Sequence, residues 1–327
     1  MTYSSNAATP TKSQWLSAVE ADLKRVTRKI RDASFLNDQL LDAAVTMILE
    51  AGGKRLRPTI TLLVGQACHA PIDKLIPVAA SVELLHTATL VHDDLVDNAN
   101  ERRGAPTLHT QLPLGVTVLT GDFLFAQSAA LAAEADNVRV VKNFSAALVS
   151  ICKGEILQAQ TKWQVPSSDI YQQRIYGKTA ALFEAAALAA SLLSDLPEPL
   201  IQAYGHFGRE LGMAYQIIDD ALDFVATSDQ LGKPAGHDLR EGHVTLPAML
   251  YIENHKIDPV AFIEQVRNPK GVEEIIHSIR ENGAARAAIQ AARNHIQAAE
   301  DALADVEQGP AIEALFSLAS YVIDRDF

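Results

Sequence analysis

Apolar residues recur along this chain at intervals of three and four positions, and rarely at intervals of two. The segments 41–49 and 60–67 show this spacing on either side of a short break at Gly52-Gly53. Intervals of three and four are typical of an amphipathic α-helix, whereas a half-buried strand alternates at every second residue. Alanine, which has the highest helix propensity, is frequent in the same segments. The pattern therefore predicts helices throughout.

Glycine and proline divide this pattern into segments of roughly 15–30 residues. The breaks lie at 52–58, 71–77, 104–113, 166–168, 197–199 and 232–247. Pro58 and Pro77 are each expected in a first helical turn, where a missing N–H is tolerated. No linker rich in proline, glycine and serine divides the chain. We therefore expect one all-α domain over residues 1–327, a bundle of about ten to twelve helices, with a mobile N-terminal tail at about 1–12.

Composition and charge exclude several classes of protein. The 327 residues are 48% hydrophobic and 21% charged, which excludes a disordered acidic chain. The formal net charge of −12 argues against a surface that follows the phosphates of a nucleic acid. Cys68 and Cys152 form neither a disulfide framework nor a metal-ligand spacing, so both are expected as buried free thiols.

Targeting and membrane segments are not expected either. The first residues, MTYSSNAATPTKSQ, lack the apolar core of a secretory signal. The most apolar windows, 112–133 and 179–193, contain Asp122 and Glu184 and are rich in alanine, which disfavours a membrane span. The sequence thus predicts a soluble cytoplasmic protein.

Two clusters of aspartates follow apolar helical segments. They consist of Asp93, Asp94 and Asp97, and of Asp219, Asp220 and Asp223. In each cluster the first and last aspartates are four residues apart, so on a helix they share a face and repel each other. One such cluster could be a solvated helix end. Two of them favour a metal site, because Mg²⁺ prefers carboxylate oxygens and leaves positions open for substrate phosphates.

Basic residues accompany both clusters. They are Lys54, Arg55 and Arg57 in a turn opened by glycine, Arg102 and Arg103 after the first cluster, Lys178 at the start of a helical run, and Lys233 after the second cluster. Each one alone could be a solvated surface residue. Beside six aspartates they suit two diphosphates, one held by metal and one in a basic pocket, because arginine binds phosphate oxygens through two N–H groups.

These motifs resemble those of the trans-isoprenyl diphosphate synthases (polyprenyl synthetases). The resemblance covers nearly the whole chain, in order GGKRLRP, ELLHTATLVHDDLVD, RRGAPT, GDFLFA, GEILQ, YGKTAALF, YQIIDDALDF and GKPAGHDLREGHVTLP. It implies an all-α bundle around a deep central cavity and a homodimer. It also implies a Mg²⁺-dependent condensation, head to tail, of an allylic diphosphate with isopentenyl diphosphate.

The resemblance implies roles for individual residues. Three Mg²⁺ ions would be held by Asp93, Asp94, Asp97, Asp219 and Asp223, with Asp220 acting behind them. The allylic diphosphate would contact Arg102, Lys178 and Lys233, and isopentenyl diphosphate would contact Lys54, Arg57, His86 and Arg103. Thr179 and Gln216 would face the developing allylic cation. The candidate catalytic residues are thus Asp93, Asp94, Lys178, Thr179, Gln216 and Asp219.

The chemistry of the reaction suits these roles. Breaking the allylic C–O bond leaves a carbocation and a diphosphate with added negative charge, which metal and basic residues stabilise. One position departs from the family, because His243 stands where lysine is usual and would also bind the allylic diphosphate. Its ordinary pKa of about 6.5 gives only a partial charge at pH 7. Either the phosphate keeps His243 protonated, or the allylic site is weaker here.

Product length depends on what closes the cavity. Ala88 and Thr89 lie one helical turn, about 5–6 Å, before Asp93, where short-chain members of the family carry an aromatic residue. Because Ala88 is small, a floor at fifteen carbons is absent. The residues that could limit growth further down are Leu85, Ser81, Phe123 and Phe125. We expect a product longer than C20, with geranylgeranyl diphosphate (C20) as the alternative.

Other classes of protein fit the sequence less well. A class I terpene cyclase shares the first aspartate motif, but its second motif is of the Asn/Ser/Glu type, and it has no use for a second basic pocket. A non-catalytic subunit would lack aspartates, and none is missing here. A generic diphosphate-binding protein gives no reason for small residues below the cluster. A catalytic subunit that needs a partner chain stays open.

Overall fold

The computed structural model describes residues 13–35, 38–50, 52–225 and 235–324, and it confirms the all-α fold. The first half contains α1 (Ser13–Ser34), α2 (Gln39–Glu50), α3 (Leu56–Ala67), α4 (Ile72–Val96), α5 (Leu108–Gln111), α6 (Leu114–Ala133) and α7 (Val138–Gln160). The second half contains α8 (Ser168–Ile175), the π-helix π1 (Tyr176–Ala180), α9 (Ala181–Ser191), α10 (Glu198–Val225), α11 (His237–Arg240), α12 (Leu246–His255), α13 (Pro259–Val266), α14 (Pro269–Glu281), α15 (Ala284–Ala302) and α16 (Pro310–Ile323).

The number of helices exceeds the ten to twelve that the periodicity indicates. Helices of four residues, such as α5 and α11, are too short to show a hydrophobic period. The predicted tail at 1–12 lies outside the described residues.

Helix α4 lies in the core and packs against α3, α6 and α9. It is buried on nearly all sides from Leu75 to Thr89, as is typical of a core helix that is apolar all round. The helix begins at Ile72, so the expectation that Pro77 stands in a first turn is wrong. Pro77 lies inside α4, where its missing N–H removes the bond to the Asp73 carbonyl.

Two of the described helices, α4 and α6, have the length and composition needed to cross a membrane. In their most apolar windows, 83% of α4 is buried inside the protein, but only 39% of α6. Packing in the core therefore accounts for the apolar character of α4. The apolar residues of α6 are partly exposed, among them Leu114 and Leu119.

Helix α10 runs through the second half of the bundle and packs against α9 and α15. Small residues on one face of α15, among them Ala285, Ala288 and Ala292, are buried and allow the two helices to approach closely. The main apolar core extends from Trp15 of α1 to Ile323 of α16. A smaller core lies under α11–α14.

A two-stranded antiparallel hairpin leads from α4 to α5. Its strands are β1 (Glu101–Arg102) and β2 (Ala105–Pro106). The turn residues Arg103 and Gly104 both have positive φ, 56° and 77°, as a type I′ turn requires. Because the turn carries Arg-Gly instead of the usual Asn-Gly, the sequence does not predict it. The hairpin fixes Arg102 and Arg103 beside the end of α4.

The two cysteines are free, but only Cys68 is buried. Cys152 is exposed on α7, so the expectation of two buried thiols is wrong for this residue. Its place in an apolar stretch reflects the exposed apolar side of α7, which sequence alone cannot distinguish from a buried one.

Candidate active site

A cavity of about 770 Å³ opens where α4 ends. Of the predicted site residues, its lining contains Lys54, Arg57, His86, Asp94, Arg102, Arg103 and Asp219. These residues come from the turn before α3, from the first turn of α3, from α4, from the hairpin and from α10. The fold therefore brings the basic residues and a member of each aspartate cluster to one cavity.

The first aspartate cluster lies at the C-terminal end of α4. The helix dipole is negative there, so carboxylates at this end are unfavourable unless a cation compensates them. Arg102 Nε donates to Asp94 Oδ1 at 2.6 Å. Burial, together with the nearby Glu155 carboxylate, raises the pKa of Asp93 to about 7, although Lys178 opposes this. The cluster is short of positive charge, as expected of a cation-binding site.

The second cluster lies near the C-terminal end of α10, and its three carboxylates have different surroundings. Asp219 lines the cavity. Asp220 faces the core, where its carboxylate accepts from the Tyr171 hydroxyl at 2.7 Å. Asp223 accepts from the backbone N–H groups of His237 and Asp238, each at 3.1 Å, at the start of α11. These bonds do not by themselves preclude metal binding by Asp223, because a carboxylate has about four acceptor positions.

Within the described ranges, no three His, Cys, Asp or Glu side chains are grouped closely enough to hold a metal ion. The donor set nevertheless fits Mg²⁺, which binds one or two protein carboxylates and takes its other ligands from water and substrate phosphates. The raised pKa of Asp93 is the observation in this structure that fits a missing positive charge. Metal binding by the five aspartates stays a prediction.

Lys178 and Thr179 lie in π1, between α8 and α9. A π-helix is rare and occurs frequently at functional sites. Its backbone lies directly against α7, because a Cβ added to Gly154 would stand only 2.6 Å from the backbone nitrogen of Lys178. Thr179 Oγ1 donates to Gln216 Oε1 at 2.6 Å, so the two residues predicted to face the allylic cation are in contact.

Glu155 is a residue that the sequence reasoning did not assign. Its carboxylate lies 3.3 Å from Lys178 Nζ. Although burial lowers it, the pKa of Lys178 is raised overall, because the carboxylates of Glu155, Asp93 and Asp97 favour the ammonium form. Glu155 belongs to GEILQ, one of the segments that carry the family resemblance, and that was the available signal. It holds the Lys178 ammonium beside the first cluster.

The first turn of α3 and the neighbouring part of α4 contribute Arg57 and His86 to the cavity. Arg57 lies over the Phe183 ring at 4.7 Å, and its Nε is buried without a hydrogen-bond partner among the described residues. Burial and then the charges of Arg57 and Arg103 lower the pKa of His86 well below its ordinary value. His86 is therefore neutral at pH 7 and would meet a phosphate as an N–H donor. Arg57 keeps an unused donor for an anion.

Arg55 has a different place from its basic neighbours. It has a left-handed backbone conformation with φ 52°, immediately before α3. Its Nη1 lies 3.0 Å from Oε1 of the largely buried Glu83. This ion pair ties the turn to α4.

His243 lies on the loop between α11 and α12, where its backbone forms an isolated parallel β-bridge with the backbone of Gln164. Burial, with the nearby Arg174, Lys162 and Lys178, lowers the pKa of His243 despite the opposing Asp238. The neutral form is therefore favoured before substrate binds. Lys233 lies outside the described residues.

We expect His243→Lys to keep activity within about tenfold and to remove a pH dependence of the KM for the allylic diphosphate. In the unmodified protein this KM should rise as pH increases through the pKa of His243, because the imidazolium that binds phosphate is lost. Lysine stays charged between about pH 5.5 and 8, so its profile should be flat. Steady-state kinetics from pH 5.5 to 8 measure this KM, and His255→Lys, at an exposed position of α12, is the control. Identical profiles for both variants would show that His243 does not contact the diphosphate.

A second, small cavity lies deeper in the bundle. Its lining includes Ser81 and Leu85 of α4, Phe144 and Ala147 of α7, and Leu182 and Ala185 of α9. The aromatic residue facing Leu85 is thus Phe144, and the expectation of Phe123 or Phe125 is not met at this cavity. The Phe125 ring instead lies 5.2 Å from the His92 ring, near the aspartates. Ala88 and Thr89 are buried in α4.

An all-α bundle that presents one aspartate from each of two clusters and several arginines to one cavity is suited to an enzyme acting on diphosphates. Residues 38–281 match the family model described as Polyprenyl synthetase. The chain belongs to the polyprenyl synthetase family, and it is a trans-polyprenyl diphosphate synthase, a prenyltransferase whose substrates are prenyl diphosphates.

Individual relatives agree with this assignment. The chain is 36% identical to the all-trans-nonaprenyl-diphosphate synthase (geranyl-diphosphate specific) of Rhodobacter capsulatus, over 96% of this chain and 98% of the relative. It is 33% identical to heptaprenyl diphosphate synthase component 2 of Geobacillus stearothermophilus, over 95% of this chain and 96% of the relative. The chain is also similar to the crystal structure of polyprenyl synthase from Caulobacter crescentus CB15 complexed with calcium and isoprenyl diphosphate. The two superpose with a TM-score of 0.91 at 33% sequence identity, over 97% of this chain and 98% of the other. Heptaprenyl and nonaprenyl chains exceed twenty carbons, which supports the expectation of a product longer than C20.

Proposed function

We propose that the chain condenses an allylic diphosphate with isopentenyl diphosphate at the 770 Å³ cavity, with Mg²⁺ held by the two aspartate clusters. The observation that carries this proposal is the convergence of Asp94, Asp219 and the basic residues on one cavity. The relative from Caulobacter crescentus, solved with calcium and isoprenyl diphosphate, supports a divalent cation at such a site. Three ions remain a prediction.

The chain's own residues divide the work between two diphosphates. Arg102 and Lys178 bind the allylic diphosphate, and Glu155 keeps the Lys178 ammonium beside the first cluster. Lys54, Arg57, His86 and Arg103 hold isopentenyl diphosphate, a proposal supported by the place of all four residues in the lining of the cavity. When bound, Mg²⁺ supplies Lewis-acid stabilisation of the departing diphosphate.

The allylic carbon needs surroundings that tolerate a cation and exclude water. The oxygen atoms of Thr179 and Gln216 provide dipoles there, and both residues lie in the interior of the bundle. These dipoles are in place before the reaction, so little reorganisation is needed as charge develops. The proton lost after condensation goes to the departing diphosphate.

The proposal is tested by incubating the purified chain with Mg²⁺, labelled isopentenyl diphosphate and farnesyl diphosphate, followed by chromatography of the dephosphorylated products. A ladder ending beyond C20 is expected. A single C20 product would favour geranylgeranyl diphosphate synthase. No product would favour a catalytic subunit that requires a partner, as the name component 2 of the Geobacillus relative indicates for that protein.

We expect Ala88→Phe to shorten the product, because the phenyl ring would fill the space one turn below Asp93. Leu85, Ala88 and Thr89 are proposed to line the path of the growing chain. Of these three residues, Leu85 also lines the deeper cavity. Chain length is read by chromatography of the dephosphorylated products. The control is Val260→Phe, at an exposed position of α13. An unchanged product distribution would show that Ala88 does not line the path.

A homodimer is proposed through the exposed apolar sides of α6 and α7. These helices expose Leu114, Leu119, Val141, Val149 and Ile156. Exposed apolar patches of this kind mark interaction surfaces, and a twofold dimer would cover the same patch on both copies.

Light scattering should therefore give a mass about twice the 35.3 kDa of the chain. Leu119→Glu should lower this mass toward that of the monomer. Val260→Glu, at an exposed position of α13, should leave it unchanged. A monomeric unmodified chain would contradict the proposal.

One all-α domain is also part of the proposal, supported by a core that runs from Trp15 to Ile323. The cytoplasmic location stays a prediction from the sequence, and free cysteines suit a reducing compartment.

A further inference from the structure

A chain of three hydrogen bonds connects Tyr171 of α8 to Gln216 and Thr179, the residues proposed to face the allylic cation. The Tyr171 hydroxyl donates to Asp220 Oδ2 at 2.7 Å, and Gln216 Nε2 donates to Asp220 Oδ1 at 2.8 Å. Thr179 Oγ1 then donates to Gln216 Oε1 at 2.6 Å. Tyr171 and Asp220 are each 2% exposed and Thr179 is 6% exposed. Water therefore has little access to the bond between Tyr171 and Asp220, whereas Gln216 is partly exposed.

Each bond in this chain determines the direction of the next. Both oxygens of Asp220 accept hydrogen bonds, one from Tyr171 and one from the NH₂ group of Gln216, which fixes the direction of the Gln216 amide. Its carbonyl oxygen then faces Thr179, and the Thr179 hydroxyl donates to it. The lone pairs of the threonine oxygen are not used in this chain of bonds. They can therefore face the developing cation and stabilise its positive charge. The Tyr171 hydroxyl holds the opposite oxygen of Asp220 and so completes the arrangement.

The ring of Tyr171 is held independently of its hydroxyl. The Arg174 guanidinium lies over it at 5.6 Å and donates to the Val244 carbonyl at 2.7 Å. Phenylalanine would keep this stacking and lose only the hydrogen bond to Asp220. The hydroxyl can therefore be removed without removing the packing around it.

We propose that Tyr171 is a positioning residue, which through Asp220 fixes the Gln216 amide and the Thr179 hydroxyl for the allylic cation. Its catalytic consequence rests on the proposed function. The strength of one hydrogen bond corresponds to a change in rate of about 10-fold. Tyr171→Phe should lower kcat by this factor and leave both KM values within about threefold, because Tyr171 contacts neither diphosphate.

The kinetic test compares Tyr171→Phe with Tyr204→Phe, which removes the hydroxyl of another buried tyrosine, on α10. Tyr204→Phe should keep kcat within about twofold. In a Thr179→Val background, Tyr171→Phe should have almost no further effect on kcat, because the chain of hydrogen bonds to the Thr179 hydroxyl is already broken. A normal kcat for Tyr171→Phe, or losses that multiply in the double variant, would overturn the proposal.

A second measurement does not depend on turnover. In protein labelled with ¹⁵N-glutamine, the side-chain amide signal of Gln216 is assigned by its loss in Gln216→Leu. This signal should shift in Tyr171→Phe and stay in place in Tyr204→Phe. If the unmodified chain forms no product, the proposed function fails while a shifted signal still supports the positioning role. An unshifted signal overturns that role whatever the activity.

Discussion

Asp93→Asn is expected to lower kcat by about 1,000-fold and, at the same time, to stabilise the metal-free protein above pH 7. The loss of activity follows because the carboxamide cannot replace a charged metal ligand, and stabilisation of the departing diphosphate is the main requirement of this reaction. The gain in stability follows from the surroundings of Asp93. Burial and the Glu155 carboxylate raise its pKa from 3.8 to about 7, so the ionised form destabilises the fold.

The direction of the pH dependence follows from this shift. Below about pH 4 Asp93 is protonated in both the folded and the unfolded chain, and it has no effect on the free energy of unfolding. Between pH 4 and 7 the unfolded chain loses this proton while the folded chain keeps it, so stability falls as pH rises. Above pH 7 the loss is complete, on the order of 1–4 kcal/mol.

Thermal unfolding without metal from pH 4 to 8 measures this effect. The Tm of Asp93→Asn should exceed that of the unmodified protein at pH 8, and the difference should vanish near pH 4. Asp195→Asn, at an exposed position between α9 and α10, is the control and should change neither Tm nor kcat. Full activity in Asp93→Asn would exclude Asp93 from the metal site. Equal Tm values at every pH would show that Asp93 ionises normally.

Gly154→Ala is expected to reduce both stability and activity. The added Cβ would lie 2.6 Å from the backbone nitrogen of Lys178 and 2.8 Å from the carbonyl carbon of Gly177. Backbone atoms cannot move aside as a side chain can, so α7 and π1 must separate. We expect a loss of about 1–3 kcal/mol in the free energy of unfolding. Because the separation moves Lys178 and Thr179, kcat/KM should fall by about 100-fold.

Gly205→Ala is the matched control for this variant. Its Cβ would meet Leu188 Cδ1 at 3.4 Å, an ordinary contact with a side chain, and alanine favours the helix by up to about 1 kcal/mol. Denaturant unfolding and steady-state kinetics of both variants provide the comparison. A Gly154→Ala protein with normal kcat/KM would show that the position of π1 is not critical for the reaction.

The sequence predicts the parts of this site that depend on local pattern. Periodic apolar residues predict the helices, and the four-residue spacing of Asp93 and Asp97 predicts a shared face at the end of α4. Asp94 and Asp219, one from each cluster, line the same cavity because of tertiary packing, and the family resemblance, not the spacing, predicted a shared cavity. Periodicity does not reveal π1, because a single extra residue in a helix changes no apolar pattern over so short a stretch.

Residues that act through buried contacts were not predicted. Glu155 and Tyr171 lie outside the aspartate clusters, and their partners are distant in sequence. Phe144 faces Leu85 from α7, a pairing that depends on how the two helices cross. Cys152 was predicted to be buried but is exposed. An apolar segment of a helix has the same sequence pattern whether that side of the helix is exposed or buried. The missing information in each case is which face of a helix meets which neighbour.

The π-helix has a consequence for how this site could arise or disappear. Its extra residue can be regarded as a one-codon insertion in the helix that runs from α8 to α9. Deleting one residue within Tyr176–Ala180 would restore regular helix, but residues on one side of the deletion would rotate by about 100° relative to the other. The packing of α8 and the placement of Thr179 could then no longer be satisfied together. If a distant descendant of this fold lost the site through such a deletion, a sequence alignment would show a one-residue gap at this position and not a substitution.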